Sequence, residues 1–211
     1  MKLALSGKIA SGKSTVAELI VALSGATRVS LADPIRELVA AAAMDVVARD
    51  SVVASVLKRL FAGRPAMGLR ALSIYDTAVR EFQAELRSGQ KPRGLMQTLG
   101  GEFRALDEDV WARDLVHGTG SLRGSVVCDD LRYVNEARIL RRDGWKLVRC
   151  VISDAARVPR VRALYGDIGD KANHASETAL DNWRDWDYCL ETGVPLARQD
   201  TAVLDLIAAL S

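Results

Sequence analysis

Leu5-Ser6-Gly7-Lys8-Ile9-Ala10-Ser11-Gly12-Lys13-Ser14-Thr15 is the stretch that decides the fold. Ahead of it, Lys2 to Ser6 is short and apolar, as a buried strand is. Behind it, Val16, Leu19, Ile20 and Leu23 recur at helical spacing until Gly25. Between strand and helix the residues fit G-x-x-x-x-G-K-[ST] at every fixed position. Glycines let such a loop turn tightly, so that successive N–H groups converge on an anion. The helix that starts there adds its positive end. The expectation is that Gly7, Lys8, Ala10, Ser11, Gly12, Lys13, Ser14 and Thr15 cradle the phosphates of ATP. Lys13 would reach the β- and γ-phosphates and Ser14 would ligate Mg2+. The plainer alternative is a Gly-rich turn before a helix, with solvent-exposed lysines.

Outward from the loop, strand and helix patterns alternate. Thr27 to Leu31 reads as a second strand. Asp33-Pro34 then supplies an N-cap and a Pro at the first helical position, with Ile35, Leu38, Val39 and Ala42 on the buried face. Val53, Val56, Leu57 and Leu60 mark another helix. Gly63 to Gly68 breaks the pattern, and Leu69 to Leu86 resumes it, with Val79, Phe82 and Leu86 on one face. After a turn over Ser88 to Arg93, helical spacing returns at Leu95, Leu99, Phe103 and Leu106. Asp107 or Asp109 caps a short helix carrying Trp111 and Leu115. Ser125 to Cys128, Lys146 to Ile152 and Trp186 to Glu191 read as strands. Helices lie between them and at the end. The pattern implies an α/β fold, a parallel sheet covered on both faces. From about Arg36 to Val116 no strand signal occurs, which implies a helical insert.

With 211 residues, 49% of them hydrophobic and 27% charged, the chain can bury a core and is not of disordered composition. A net charge of +2 is no argument for nucleic acid, and none is expected as a partner. No apolar run is long enough for a membrane span, and the N-terminus does not read as a signal peptide. Cys128, Cys150 and Cys189 have no metal-site spacing and are expected as buried, reduced thiols, in keeping with a cytoplasmic protein.

A loop of this kind needs a carboxylate at the end of another core strand to serve the metal. Val126-Val127-Cys128-Asp129-Asp130 offers two, and spacing does not choose between Asp129 and Asp130. Their alternative role is to cap the helix that begins near Arg132. Arg132 itself, with Arg157, Arg160 and Arg162 beyond the strand ending at Ile152, supplies the guanidinium forks that suit a transferring phosphoryl group. Arg104, beside Phe103, is a candidate anchor for an acceptor phosphate.

Taken in order, several blocks resemble the bacteriophage-type deoxynucleoside monophosphate kinases, within the wider adenylate-kinase-like group of P-loop enzymes. They are Leu5 to Thr15, Leu31-Ala32-Asp33-Pro34, Gln97 to Arg104, Asp109-Val110-Trp111, Asp130 to Ala137 and His174-Ala175-Ser176-Glu177. The resemblance implies one kinase domain over 1–211. That domain would hold a three-layer P-loop fold, an acceptor-binding helical insert over approximately 36–116 and an Arg-rich lid over approximately 153–172. It implies that Asp33 and Arg36 face the acceptor. It likewise gives Arg104, Asp130 and Arg132 the task of holding the acceptor nucleotide, with Gln97, Trp111, His174 and Ser176 as further contacts. Relatives often carry an acidic residue where Ser14 stands. The region from Ala48 to Pro92 matches nothing in the family pattern.

The implied reaction moves the γ-phosphate of ATP, with Mg2+, to a deoxynucleoside 5′-monophosphate. Such an acceptor is largely ionised at neutral pH, its second pKa being about 6. Alignment and charge neutralisation by Lys13, Arg132, Arg157 and Arg160 then suffice. Asp33 keeps a hydroxyl acceptor open, on a small metabolite or a modified base, because a hydroxyl needs a carboxylate base. A nucleotide-dependent switch is a further alternative, although no Asn-Lys-x-Asp guanine motif is present. The middle and final helices each offer a surface for a homodimer.

Overall fold

The computed structural model describes residues 1–166, 175–194 and 196–210, excepting the side chains of 175, 176, 196 and 197. The chain folds as two compact units: Met1–Ser30 with Gly118–Ser211, and Leu31–His117.

The first unit is built on a five-stranded sheet in the order β2-β3-β1-β4-β5. Its strands are β1 (Lys2–Ser6), β2 (Thr27–Val29), β3 (Val126–Cys128), β4 (Lys146–Val151) and β5 (Tyr188–Glu191). Every pairing is parallel. Side chains alternate across a strand, so Leu3 and Leu5 share a face with Val127, Val148, Cys150 and Leu190. Helix α1 (Lys13–Ser24) covers that face with Val16, Ala17 and Ile20, and helix α11 (Leu196–Leu210) covers it with Val203 and Leu206. Each such aliphatic side chain contributes roughly 1.5–3 kcal/mol on full burial. Helix α8 (Val134–Arg142) packs on β4 with Ala137 and Leu140 buried. Among the described residues the remaining helices of this unit are α9 (Asp154–Tyr165) and the short α10 (Ala175–Thr178).

The segment without strand signal is helical throughout: α2 (Asp33–Ala41), α3 (Val46–Leu60), α4 (Pro65–Glu81), α5 (Gln83–Arg87), α6 (Arg93–Leu106) and α7 (Val110–Thr119). The second unit starts at Leu31, ahead of the expected insert boundary near Arg36, because α2 packs on α3 and α6 and belongs with them. Phe103 is fully buried and stacks on Trp111, with ring centroids 5.8 Å apart. Gly100 lets α6 approach α2: a Cβ there would lie 3.3 Å from Ile35 Cδ1.

Some local expectations need correction. Asp33 is the first residue of α2, not its cap, and Ala32 holds the cap position. Helix α4 begins at Pro65, because Pro suits a first helical turn and Gly68 is accommodated inside. Its buried face is Ala71, Tyr75 and Ala78, not the face of Val79. Two small alanines carry the packing there, and an apolar count undervalues them. Cys128 and Cys150 are buried, but Cys189 is exposed, since it occupies the outward position of β5. Among the described residues no helix is long and apolar enough to cross a membrane.

Candidate active site

The Gly7–Thr15 loop joins the end of central β1 to the start of α1. Gly7 has φ 155°, and a Cβ on it would collide with Ser11 Oγ and come 2.7 Å from the Cys150 carbonyl oxygen. Only glycine fits. Gly12, at φ 82°, caps α1 in the left-handed region. Ala10 also sits there, at φ 61°, a conformation that costs a side-chain-bearing residue about 1–2 kcal/mol. The Ser11 N–H donates to the Lys8 carbonyl at 3.0 Å. The Ser11 hydroxyl is buried without a hydrogen-bond partner among the described residues.

Lys13 curls back over this loop. Its Nζ donates to the carbonyls of Gly7 at 2.5 Å and Lys8 at 2.9 Å. Burial, and then the neighbouring Arg132 charge, lower its pKa to about 8, against the opposing pull of Glu177, Cys150 and Asp129. Burial pushes the Cys150 thiol up to about 12, so it stays protonated.

Strand β3 lies beside β1, which brings Asp129 to the same end of the sheet as the loop. Ser14 Oγ donates to Asp129 Oδ2 at 2.9 Å. Arg28, at the β2 edge, donates to the same carboxylate through Nη2 at 2.5 Å and Nε at 3.3 Å. Asp130 turns elsewhere, accepting from the Ser30 hydroxyl at 2.5 Å and the Cys128 thiol at 3.1 Å. Neither aspartate caps α8. Glu136 does so, its Oε2 accepting from the N–H groups of Arg132 and Tyr133 at 3.0 Å each. Geometry therefore singles out Asp129 as the carboxylate beside Ser14. A hydroxyl and a carboxylate are hard oxygen donors and fit Mg2+. No cluster of three or more His, Cys, Asp or Glu suited to a metal occurs among the described residues.

A carboxylate not expected here, Glu177, lies against the loop. Its Oε2 accepts from the Ile9 N–H at 2.5 Å and its Oε1 from Arg132 Nη1 at 2.6 Å. Four residues on, Asp181 pairs with Lys8 Nζ at 3.4 Å and with Arg149 at 3.1 Å. Thr192, after β5, is a further neighbour, since a Cβ on Gly12 would lie 3.6 Å from the Thr192 Cβ. Arg160 donates to the Thr192 carbonyl at 3.2 Å. Arg157 is tied to Asp154 at 2.8 Å, and Arg162 is exposed.

The expected acceptor contacts Asp33, Arg36, Gln97, Arg104 and Trp111 belong to the helical unit. Asp33 and Arg36 pair with each other at 2.5 Å, both half-exposed. Gln97 is exposed on α6. Arg104 Nη1 and the Trp111 Nε1–H both donate to the Gly100 carbonyl, at 3.3 Å and 3.2 Å. Trp111 is thereby corrected from a substrate contact to a core residue, because its face lies on Phe103 and its one donor is engaged. A cavity of about 740 Å³ lies in this unit, lined by Val53, Leu57, Phe61, Leu72 and Tyr75 among others. It falls within Ala48 to Pro92, the region that matches nothing in the family pattern. His174 and residues 167–172 of the expected lid lie outside the described residues, as does the side chain of Ser176.

No family model matches this sequence, and no curated protein does. The fold has a solved counterpart. It is similar to the crystal structure of TT1252 from Thermus thermophilus, with a TM-score of 0.53 and 21% identity, over 99% of this chain and 96% of that one. At that identity the likeness speaks for the α/β fold alone. Glu177 stands in a block singled out in the sequence, though not as a contact of the loop. Nothing local marks Arg28, Asp181 or Thr192.

Proposed function

We propose that this chain is a P-loop phosphotransferase, moving the γ-phosphate of ATP to a deoxynucleoside 5′-monophosphate in the cytoplasm of the cell where it is made. The observation that carries the reading is the Ser14–Asp129 hydrogen bond at 2.9 Å beneath a loop into which Lys13 folds. It supports the reading because the Ser14 hydroxyl, the strand-end Asp129 carboxylate and the Lys13 ammonium all lie at one loop. In this reading the loop N–H groups and Lys13 hold the ATP phosphates. Ser14 and Asp129 hold Mg2+, which supplies charge neutralisation. Arg132, Arg157 and Arg160 balance the charge that spreads over the transferring group. The resemblance assigns Asp130, Arg36, Gln97 and Arg104 to the acceptor. An ionised acceptor phosphate needs no base, and the Asp33 carboxylate is already paired with Arg36.

The test is incubation with ATP, Mg2+ and each deoxynucleoside monophosphate in turn, following ADP and diphosphate formation, with ribonucleotides and Lys13→Ala alongside. Phosphorylation of one or two deoxynucleotides, absent in Lys13→Ala, is the expected result. If ATP binds while every monophosphate fails, the acceptor assignment is wrong and hydroxyl acceptors take its place.

A further inference from the structure

A phosphate is recognised by backbone N–H groups, guanidinium forks and ammonium groups that converge on oxygen. One N–H of the Gly7–Thr15 loop and the neighbouring Arg132 guanidinium already face an oxygen pair of the same chain. Glu177 Oε2 takes the Ile9 N–H at 2.5 Å, and Oε1 takes Arg132 Nη1 at 2.6 Å. The Glu177 side chain is only 8% exposed. It lies close enough to Lys13 for its charge to favour the ammonium form. The position is held from behind. Leu180 is buried, the Asp181 N–H donates to the Thr178 carbonyl at 2.9 Å, and Asp181 pairs with Lys8. The turn from Glu177 to Asp181 thus meets the loop with two carboxylates.

We propose that Glu177 is a resident stand-in for phosphate, filling the anion cradle of the Gly7–Thr15 loop and holding Arg132 until a phosphate group displaces it. The proposal rests on reading that loop as a phosphate site, and adds a gate to it. While the site is empty, the carboxylate keeps the loop N–H satisfied and prevents a bare cluster of positive charge. When a polyphosphate arrives, the carboxylate is a like charge on the same donors and must leave, which frees Arg132 for the incoming group. Binding is therefore weaker than the cradle alone would allow. Glu177 is a positioning residue acting through Arg132 and the loop.

Titration calorimetry with pyrophosphate and with ADP, on the wild type, Glu177→Gln and Glu177→Ala, tests this. Removing a competing charged hydrogen-bond partner is expected to tighten pyrophosphate binding by about tenfold or more in both variants. A loop merely loosened by the substitution would bind more weakly, so the direction discriminates. Unchanged or weaker binding in the variants overturns the proposal and leaves the phosphate-site reading intact. Absence of pyrophosphate and ADP binding in all three proteins removes that reading, and the gate with it. Should both variants fail to fold, hydrogen exchange on the wild type decides. Saturating pyrophosphate is expected to speed exchange in the peptide containing Glu177 while slowing it in Gly7–Thr15. Slowing, or no change, in the Glu177 peptide overturns the gate.

Discussion

The helical unit and the sheet unit both bind arginine to carboxylate, but to different ends. In the helical unit Arg59 joins Glu37 of α2 at 2.9 Å and Asp114 of α7 at 2.7 Å. Hydrogen bonding to Glu37, opposed by burial and helped by Asp114, holds the Arg59 charge above its ordinary range. Asp107 accepts from both Arg64 and Arg113. Burial alone would raise its pKa, yet the bonds from Arg113 and Arg64 outweigh it and hold the carboxyl below its usual value. These pairs join helix to helix or fix a helix start. In the sheet unit Arg141 with Asp187 is a strut of the same kind, but other pairs gather about one loop: Arg28 on Asp129, which holds Ser14, and Arg132 on Glu177, which holds the Ile9 N–H. The same interaction works as a strut in one place and as a placeholder in the other. A strut is satisfied in every state of the protein, whereas a placeholder is an arrangement that a ligand can take over.

Substitutions can break this contrast. The largest effect is expected from Phe103→Ala, which empties the stacked core of the helical unit. The loss should be about 3–5 kcal/mol by denaturant titration, whether or not nucleotide is present. Lys13→Ala should lower phosphoryl transfer by about 10²- to 10³-fold, since in the proposed reading it removes the charge that meets the reacting phosphates. It should leave the folded state intact by circular dichroism. Asp107→Asn should cost about 1–3 kcal/mol, because Arg64 and Arg113 lose a shared charge that is itself buried. Asp129→Asn should cost less stability and more activity, and the reverse ordering would erase the distinction between strut and placeholder.

The last effect is a pH dependence with a definite sign. Lys13 is held at about 8 in the folded chain, against 10.5 for a free lysine. Below about 8 both folded and unfolded chains carry the proton, and the folded chain bears the cost of a buried charge. Between about 8 and 10.5 the unfolded chain alone keeps it, so the contribution of Lys13 to stability rises with pH in that window. Lys13→Met should therefore be more stable than the wild type at pH 7, by on the order of 3 kcal/mol in denaturant titration, and the gap should close towards pH 10.5. A constant gap would mean that Lys13 is not charged at a cost in the empty site.

The loop, the strand before it and the helix after it were legible because their signals are local: a short apolar run, two glycines and a 3.6-residue period. The choice between Asp129 and Asp130 was not legible. Adjacent residues on a strand end point to opposite sides, and only the pairing of β3 with β1 decides which meets Ser14. Glu177 and Ile9 are 168 positions apart, and no periodicity reports a contact of that range. The buried face of α4 escaped because Ala71 and Ala78 pack through smallness, and Trp111 was misread because a motif block says nothing of burial.

The central place of β1 has a consequence for how the chain is made. Lys2 pairs with Val126 and Leu3 with Lys146, so β1 finds neither neighbour until much of the chain after it has followed. The helical unit, Leu31–His117, is by then complete and rich in local contacts. Vectorial synthesis therefore favours an order in which that unit closes first while β1 waits unpaired. Ribosome-bound chains halted once His117 has cleared the exit tunnel should resist protease across 31–117 and remain cleavable at the Gly7–Thr15 loop.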